Sequence, residues 1–144
     1  MADIRRIDDR ISVVPQISPD ELVDIAGQGF RAIVNNRPDG EEPGQPTDAE
    51  MRDAAQAAGL AYAAIPITHA GFSHPQIDAM TQLLADADGP VLAYCRSGTR
   101  SCNLWALSAA KAGGDPAAIV EKGAGAGYDL SGIRPMLDAL SGRA

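Results

Sequence analysis

The stretch Val91-Leu92-Ala93-Tyr94-Cys95-Arg96-Ser97-Gly98-Thr99-Arg100-Ser101 decides how this chain folds and where its chemistry lies. Residues 91–94 form a short apolar run, which is typical of a buried strand. A glycine-containing loop follows, and an apolar pattern then predicts a helix from about Ser101 to Ala112. The stretch therefore predicts a strand, a tight loop and a helix, with Cys95 directly after the strand.

The segments on either side alternate between strand and helix patterns. Helix starts are predicted where capping boxes or an Asp-Pro pair occur, at Ser18, Thr47, Ser73 and Asp115. These helices run to about Gln28, Ala58 and Ala87, a break is predicted at 123–127, and a last helix spans 131–141. Strands are predicted at 4–7, 11–17, 30–35 and 60–67. This order predicts an α/β fold, a single domain over residues 1–144 with a mostly parallel central sheet flanked by helices.

Cys95 is the candidate nucleophile, because ligands of such sheets bind beyond the carboxyl ends of the strands. Only the thiolate attacks, and a free thiol with a pKa near ~8.5 is mostly protonated at neutral pH. The amino end of the following helix and the charges of Arg96 and Arg100 would lower that pKa. Gly98 allows a concave loop whose N–H groups bind an anion.

The candidate site consists of two catalytic residues and a set of anion-binding residues. The catalytic pair is Cys95 and Arg100; the anion-binding set is Arg96, Ser97, Gly98, Thr99 and Ser101. The alternative is a buried structural cysteine whose neighbouring arginines pair with surface acids. That alternative leaves unexplained why two arginines, a glycine and three hydroxyl residues surround one turn. Cys102 lies in an apolar helix, where core packing or a resolving thiol are its two possible roles.

The bulk composition excludes several classes of partner. A net charge of −7 argues against binding to nucleic acid or to a membrane surface, which needs clustered Lys and Arg. The amino-terminal residues do not read as a signal peptide, and two cysteines do not make a disulfide scaffold, so the cytoplasm is expected. His69 and His74 lack metal-ligand spacing and a third ligand, so neither a metal nor a cofactor is predicted.

Residues 94–101 resemble the active-site loops of two enzyme classes. Rhodanese sulfurtransferases carry a persulfide on the cysteine of a loop of the form Cys-Arg-Ser-Gly-x-Arg. The loop is also similar to the cysteine phosphatase signature His-Cys-x-x-Gly-x-x-Arg-Ser/Thr, with two departures. Tyr94 replaces the histidine, and one residue is missing between Cys95 and Arg100, so that Ser101 stands at the position of the phosphatase arginine.

The remainder of the chain resembles one bacterial family. The matching stretches are residues 33–41, 65–67, 89–91 and 126–129. The family, first described only as domain of unknown function 442, is named beta-lactamase-hydrolase-like or phosphatase-like. The resemblance implies a dual-specificity-phosphatase-like, cysteine-phosphatase-like fold, and both phosphatase and sulfurtransferase activity have been proposed for the family. Some members are fused to sulfur-oxidising metallo-hydrolase domains, which implies such a domain as a partner.

We expect sulfane-sulfur transfer through a persulfide on Cys95, from a donor such as thiosulfate or another persulfide. The short loop, Tyr94 and the absence of an Asp near Thr68 favour this reaction, since phosphate ester cleavage benefits from a general acid. His69 is either that acid or a surface residue. The rivals are a phosphatase that forms a phosphocysteine from a phosphate ester, and a non-catalytic module that binds an anion or a partner.

Arg37 is the remaining candidate site residue, at the end of the strand predicted at 30–35. In the phosphatase folds that this chain resembles, that strand end faces the pocket, which implies a substrate-binding role for Arg37. A salt bridge with Asp39 or Glu41 is the alternative.

Overall fold

Five short strands and six helices make up the computed structural model, which describes residues 2–142. The strands are β1 (Arg5–Arg6), β2 (Ile11–Val14), β3 (Ala32–Asn35), β4 (Ala61–Ala64) and β5 (Val91–Tyr94). They form one sheet in the order β1-β2-β5-β3-β4. β1 is antiparallel to β2, and every other pairing is parallel. The mostly parallel α/β sheet predicted from the sequence is confirmed.

The first three helices lie in the connections that join parallel strands, and the other three follow β5. They are α1 (Leu22–Gly27), α2 (Asp48–Ala57), α3 (His74–Asp86), α4 (Thr99–Lys111), α5 (Pro116–Gly125) and α6 (Arg134–Ser141). The side chains of Thr47 and Ser73 accept from the third helical N–H, so the capping boxes begin α2 and α3. The capping box at Ser18 begins a 3-10 turn, Pro19–Glu21, which leads into α1.

Two core clusters lie on the two faces of the sheet. Alternate residues of β5 point to opposite faces, so Val91 and Ala93 join one cluster while Leu92 and Tyr94 join the other. The first cluster includes the apolar faces of α3 to α6, and the second includes those of α1 and α2. Because β5 is covered on both faces, the loop that follows it has a rigid base.

Several boundaries differ from the sequence-based expectation: β2 ends at Val14 and not at Ile17, and α6 begins at Arg134 after a 3-10 turn. Three further differences have a physical reason. α4 begins at Thr99 and not at Ser101, because Gly98 takes a left-handed backbone with φ of 90° that turns the chain directly into the helix. α5 continues to Gly125, through the break predicted at residue 123. β4 is an edge strand of only four residues with a partly exposed pattern, because it pairs with β3 alone.

Met1, Arg143 and Ala144 lie outside the described residues. The prediction of one domain over residues 1–144 therefore includes three residues that the structure does not describe. Within residues 2–142, none of the helices combines the length and the apolar character that crossing a membrane requires.

Candidate active site

Cys95 lies where the sequence places it, at the carboxyl end of β5. This strand lies between β2 and β3, so Cys95 is at the centre of that edge of the sheet. Its side chain is fully buried and its thiol is free. The backbone N–H of Gly98 donates to Sγ of Cys95 at 3.1 Å. The loop therefore folds back on its own sulfur.

Gly98 is required by both its backbone and its surroundings. Its φ of 90° lies in the left-handed region that side chains disfavour. A Cβ at this position would also collide with the hydroxyl of Tyr128. The prediction that the loop needs a glycine to turn its N–H inward agrees with this geometry.

Arg100 is half-buried in the first turn of α4, beside Cys95. Its Nη1 donates to Oε2 of Glu41 at 2.7 Å and to the carbonyl of Ile67 at 2.8 Å. Its Nη2 donates to Oε1 of Glu41 at 2.8 Å. These hydrogen bonds to Glu41 raise the pKa of Arg100, and the thiolate of Cys95 raises it further. Arg100 is therefore a fixed positive charge next to the sulfur.

Arg37 is buried, with 2% of its surface exposed. Its Nε donates to Oε1 of Glu41 at 2.7 Å, its Nη2 to Glu42 at 3.0 Å and its Nη1 to Gln16 at 3.0 Å. All three nitrogen atoms of the guanidinium thus have protein partners. The salt bridge that the sequence offered as an alternative exists, and substrate binding by Arg37 stays a prediction.

Glu41 connects the two arginines. Hydrogen bonds from Arg100, then from Arg37, lower the pKa of its carboxyl to about 2 although burial opposes the shift. Glu41 is consequently ionised throughout the physiological range and cannot donate a proton to a leaving group. From the sequence, Glu41 is expected only as a partner for Arg37, because its contact with Arg100 spans 59 residues of chain.

Ser101 joins the loop to the neighbouring strand. Its hydroxyl is buried and donates to Oδ1 of Asn36 at 2.8 Å. Nδ2 of Asn36 in turn donates to the carbonyl of Ile65 at 2.9 Å, and its backbone N–H donates to the carbonyl of Tyr94. In this arrangement the hydroxyl ties α4 to the residue that follows β3, and anion binding by Ser101 stays a prediction. Asn36 was missed because an amide after a strand reads as ordinary loop.

The other anion-loop residues lie toward solvent. Arg96, Ser97 and Thr99 are exposed. The carbonyl of Arg96 accepts from the backbone N–H of Gln16 at 3.2 Å. The hydroxyl of Ser97 donates to that of Thr99 at 3.0 Å. These residues border the mouth of the site, and their binding of an anion stays a prediction.

Cys102 is a core residue and not part of the loop. Cys102 is fully buried in the core, and burial, with a smaller effect from Cys95, raises the pKa of its thiol to about 12. Its thiol therefore stays protonated, which suits core packing.

His69 is exposed in the turn after Ile67, the residue whose carbonyl accepts from Arg100.

The fold is cysteine-phosphatase-like: a buried cysteine ends a parallel strand, the N–H of Gly98 donates to its sulfur, and an arginine lies in the first turn of the helix that follows. Residues 3–112 match the model of the family described as "Beta-lactamase hydrolase-like protein, phosphatase-like domain". The chain belongs to this family, as the resemblance implied. A Beta-lactamase hydrolase-like protein of Agrobacterium fabrum is 37% identical over 137 residues, which is 94% of this chain and 32% of that protein.

A Beta-lactamase hydrolase-like protein of Xylella fastidiosa is 41% identical over 102 residues, covering 71% of this chain and 24% of that protein. The chain thus spans about a third or less of the curated relatives that it matches. Among solved structures, a candidate phosphatase of Neisseria meningitidis Z2491 has a TM-score of 0.82 and 33% identity, covering 95% of this chain and 97% of that one. Tk-PTP, with a TM-score of 0.71 and 20% identity, shares the fold over 98% of this chain and 97% of that one.

These comparisons overturn the prediction of sulfur transfer from thiosulfate or a persulfide. The matching family is phosphatase-like, and its structural neighbours are phosphatases. The structure explains why two of the arguments for sulfur transfer fail. The early start of α4 at Thr99 brings Arg100 beside Cys95 even in a shortened loop. Tyr94 packs in the core cluster on the face of the sheet that α1 and α2 cover, so its side chain is a core residue.

Proposed function

We propose that this chain hydrolyses phosphate monoesters through a phosphocysteine intermediate on Cys95. One observation carries the proposal: the N–H of Gly98, the N-cap residue of α4, donates to Sγ of Cys95 at 3.1 Å. A backbone N–H and a helix amino end both favour a negative charge at that place. Both therefore support a thiolate nucleophile with a bound oxyanion above it.

In the first step the thiolate attacks the phosphorus atom. The bond from sulfur to phosphorus forms, and the bond to the ester oxygen breaks with its electron pair on the leaving group. In the second step water attacks the phosphorus atom, the bond to sulfur breaks, and inorganic phosphate and the thiolate are released. Arg100 and the loop amides hold the phosphoryl oxygens, over which the charge of the transition state is spread.

Arg100 is suited to this role by the way Glu41 binds it. Glu41 and Ile67 occupy Nη1 and Nη2 of the guanidinium, which are its outer nitrogen atoms. None of these bonds uses Nε, and the thiolate of Cys95 lies close enough to raise the pKa of Arg100. The proposed role of Glu41 is therefore to orient Arg100, since an ionised carboxylate cannot protonate a leaving group.

The substrate class that fits this loop is a small anion bearing a phosphate ester. In the same fold, Pseudomonas aeruginosa TpbA was solved with phosphotyrosine and the phosphatase SIW14 of Saccharomyces cerevisiae with citrate, both anions. We propose aryl phosphates as the probes for this chain. A metallo-hydrolase partner, implied by the family resemblance, stays a prediction because two thirds of the curated relatives lie outside this chain.

The test measures kcat/KM for para-nitrophenyl phosphate, with Cys95→Ser as the blank and Cys102→Ser as the matched control. We expect turnover above the blank in the wild type and in Cys102→Ser. Acid quenching during turnover should trap one phosphoryl group on the peptide that contains Cys95. A wild-type rate equal to the blank, with no phosphoryl adduct, would refute the proposal.

A further inference from the structure

The hydroxyl of Tyr128 touches the outside of the anion loop. It donates to the carbonyl of Ser97 at 3.1 Å. Tyr128 follows α5 and lies beyond residues 3–112, the part of the chain that the family model matches. A segment outside that match thus contacts the loop of the nucleophile.

The carbonyl of Ser97 belongs to the same peptide unit as the N–H of Gly98. The described residues contain no cis peptide bond, so this unit is trans, and its carbonyl and N–H point in opposite directions. Tyr128 binds the outward carbonyl, and the inward N–H donates to Sγ of Cys95 at 3.1 Å. The hydrogen bond from Tyr128 to the carbonyl of Ser97 therefore fixes the orientation in which the N–H of Gly98 faces the sulfur.

This peptide unit needs such a restraint because it precedes a glycine. Gly98 has φ of 90°, and a glycine occupies positive and negative φ with similar ease. A rotated peptide unit would turn its carbonyl oxygen toward the sulfur and oppose the thiolate. The hydroxyl of Tyr128 stands so close to Gly98 that even a Cβ would collide with it.

The ring of Tyr128 is itself held in place. The guanidinium carbon of Arg5, on β1, lies 5.6 Å from the centroid of the ring, within the range of a cation–π contact. Arg5 is oriented by Asp3, to which its Nε and Nη2 donate at 3.2 and 3.1 Å. The contact thus links the edge strand of the sheet to the loop.

We propose that Tyr128 is a positioning residue of the phosphatase reaction, which keeps the Ser97–Gly98 peptide turned so that its N–H faces Cys95. The expected effect of the Tyr128 hydroxyl on turnover rests on the proposed function. Its expected effect on the reactivity of the Cys95 thiol does not. Tyr128→Phe retains the ring and removes the hydroxyl alone. Ser108→Ala is the matched control, because Ser108 also donates a hydroxyl to a backbone carbonyl, that of Trp105 at 2.7 Å, in the second half of α4.

The experiment measures the pH midpoint of Cys95 alkylation by iodoacetamide, with the modified peptide assigned by mass, together with kcat for para-nitrophenyl phosphate. In Tyr128→Phe we expect a midpoint higher than that of the wild type and a kcat about tenfold lower, the scale of one lost hydrogen bond. Ser108→Ala should shift neither. Arg5→Leu should raise the midpoint by a smaller amount, and this variant decides the question if Tyr128→Phe does not fold.

The alkylation midpoint separates this inference from the proposed function. An unchanged midpoint in folded Tyr128→Phe would overturn the positioning role, whatever happens to turnover. A raised midpoint in a chain that hydrolyses no aryl phosphate would uphold the positioning role and refute the phosphatase. A fall in kcat without a shifted midpoint would mark Tyr128 as a structural residue and overturn the inference.

Discussion

Arg100 and Glu41, which are 59 residues apart in the sequence, form a bidentate ion pair. Nη1 of Arg100 donates to Oε2 of Glu41 at 2.7 Å, and Nη2 donates to Oε1 at 2.8 Å. Such paired N–H···O bonds fix direction as well as distance. Glu41 also accepts from buried Arg37, so one carboxylate joins the loop that follows β3 to the first turn of α4.

Glu41→Gln should destabilise the fold by about 1–3 kcal/mol at neutral pH, because three charged hydrogen bonds to its carboxylate weaken at once. The folded-state pKa of Glu41, about 2, is below its ordinary value of 4.5. The stabilisation is therefore fully present above pH 4.5 and is lost as the pH falls toward 2. The measurement is urea denaturation of wild type and Glu41→Gln at pH 7, 5 and 3, with the difference shrinking only at pH 3.

Glu42→Gln is the matched control for this prediction. Glu42 is more exposed, with 45% of its side chain accessible, and binds Arg37 alone. Its replacement should cost less than that of Glu41 at neutral pH. Equal losses in the two variants, or a Glu41→Gln difference that is the same at pH 7 and pH 3, would contradict the proposed linkage.

Arg100→Ala should weaken binding of inorganic phosphate about tenfold or more, and Arg96→Ala by less than about threefold. Arg100 is held beside Cys95 by Glu41 and Ile67, whereas Arg96 is exposed at the mouth. The measurement is a calorimetric titration with phosphate at constant ionic strength. Equal or reversed effects would count against the roles assigned to the two arginines.

Cys102→Ser should retain most of the turnover that Cys95→Ser abolishes. The thiol of Cys102 is buried and its pKa is raised to about 12, so it provides no thiolate at neutral pH. The measurement is kcat for para-nitrophenyl phosphate, with folding checked by circular dichroism. A folded Cys102→Ser variant as inactive as Cys95→Ser would require a mechanism with two thiols.

Gly98→Ala should lose both stability and activity, and Gly113→Ala is its matched control. Both glycines have positive φ, 90° and 98°, so both substitutions strain the backbone by roughly 1–2 kcal/mol. A Cβ at Gly113 meets open space, whereas one at Gly98 collides with the hydroxyl of Tyr128. The midpoint temperature of thermal unfolding and the turnover rate should therefore both fall further in Gly98→Ala than in Gly113→Ala. Similar values in the two variants would show that the close approach of Tyr128 to Gly98 has no effect on stability or activity.

Aryl phosphates should be hydrolysed at least about 100-fold faster than alkyl phosphates, the scale of a missing general acid. Glu41, the carboxylate that binds Arg100, is ionised, and an aryl oxide leaves without being protonated. The measurement compares kcat/KM for para-nitrophenyl phosphate with that for an alkyl phosphate. His69→Ala should leave this ratio unchanged, and a selective loss on the alkyl ester would instead identify His69 as the acid.

The pattern of the chain was enough to predict most elements of the fold. Capping boxes at Thr47 and Ser73 begin helices because their hydrogen bonds are made within four residues. The start of α4 was missed by two residues, since the left-handed backbone of Gly98 depends on what surrounds it. The order of the strands likewise depends on contacts between distant segments.

The sequence by itself determined the strand, loop and helix that hold the proposed nucleophile, because Cys95, Gly98 and Arg100 are neighbours along the chain and local spacing predicts that segment. Only the tertiary structure decided which residues complete the site. Glu41, Asn36 and Tyr128 reach the loop from segments 59, 65 and 31 residues away from their partners. The packing of the sheet brings these segments together. The spacing of residues along the chain does not show which carboxylate, amide or phenol will contact a given loop.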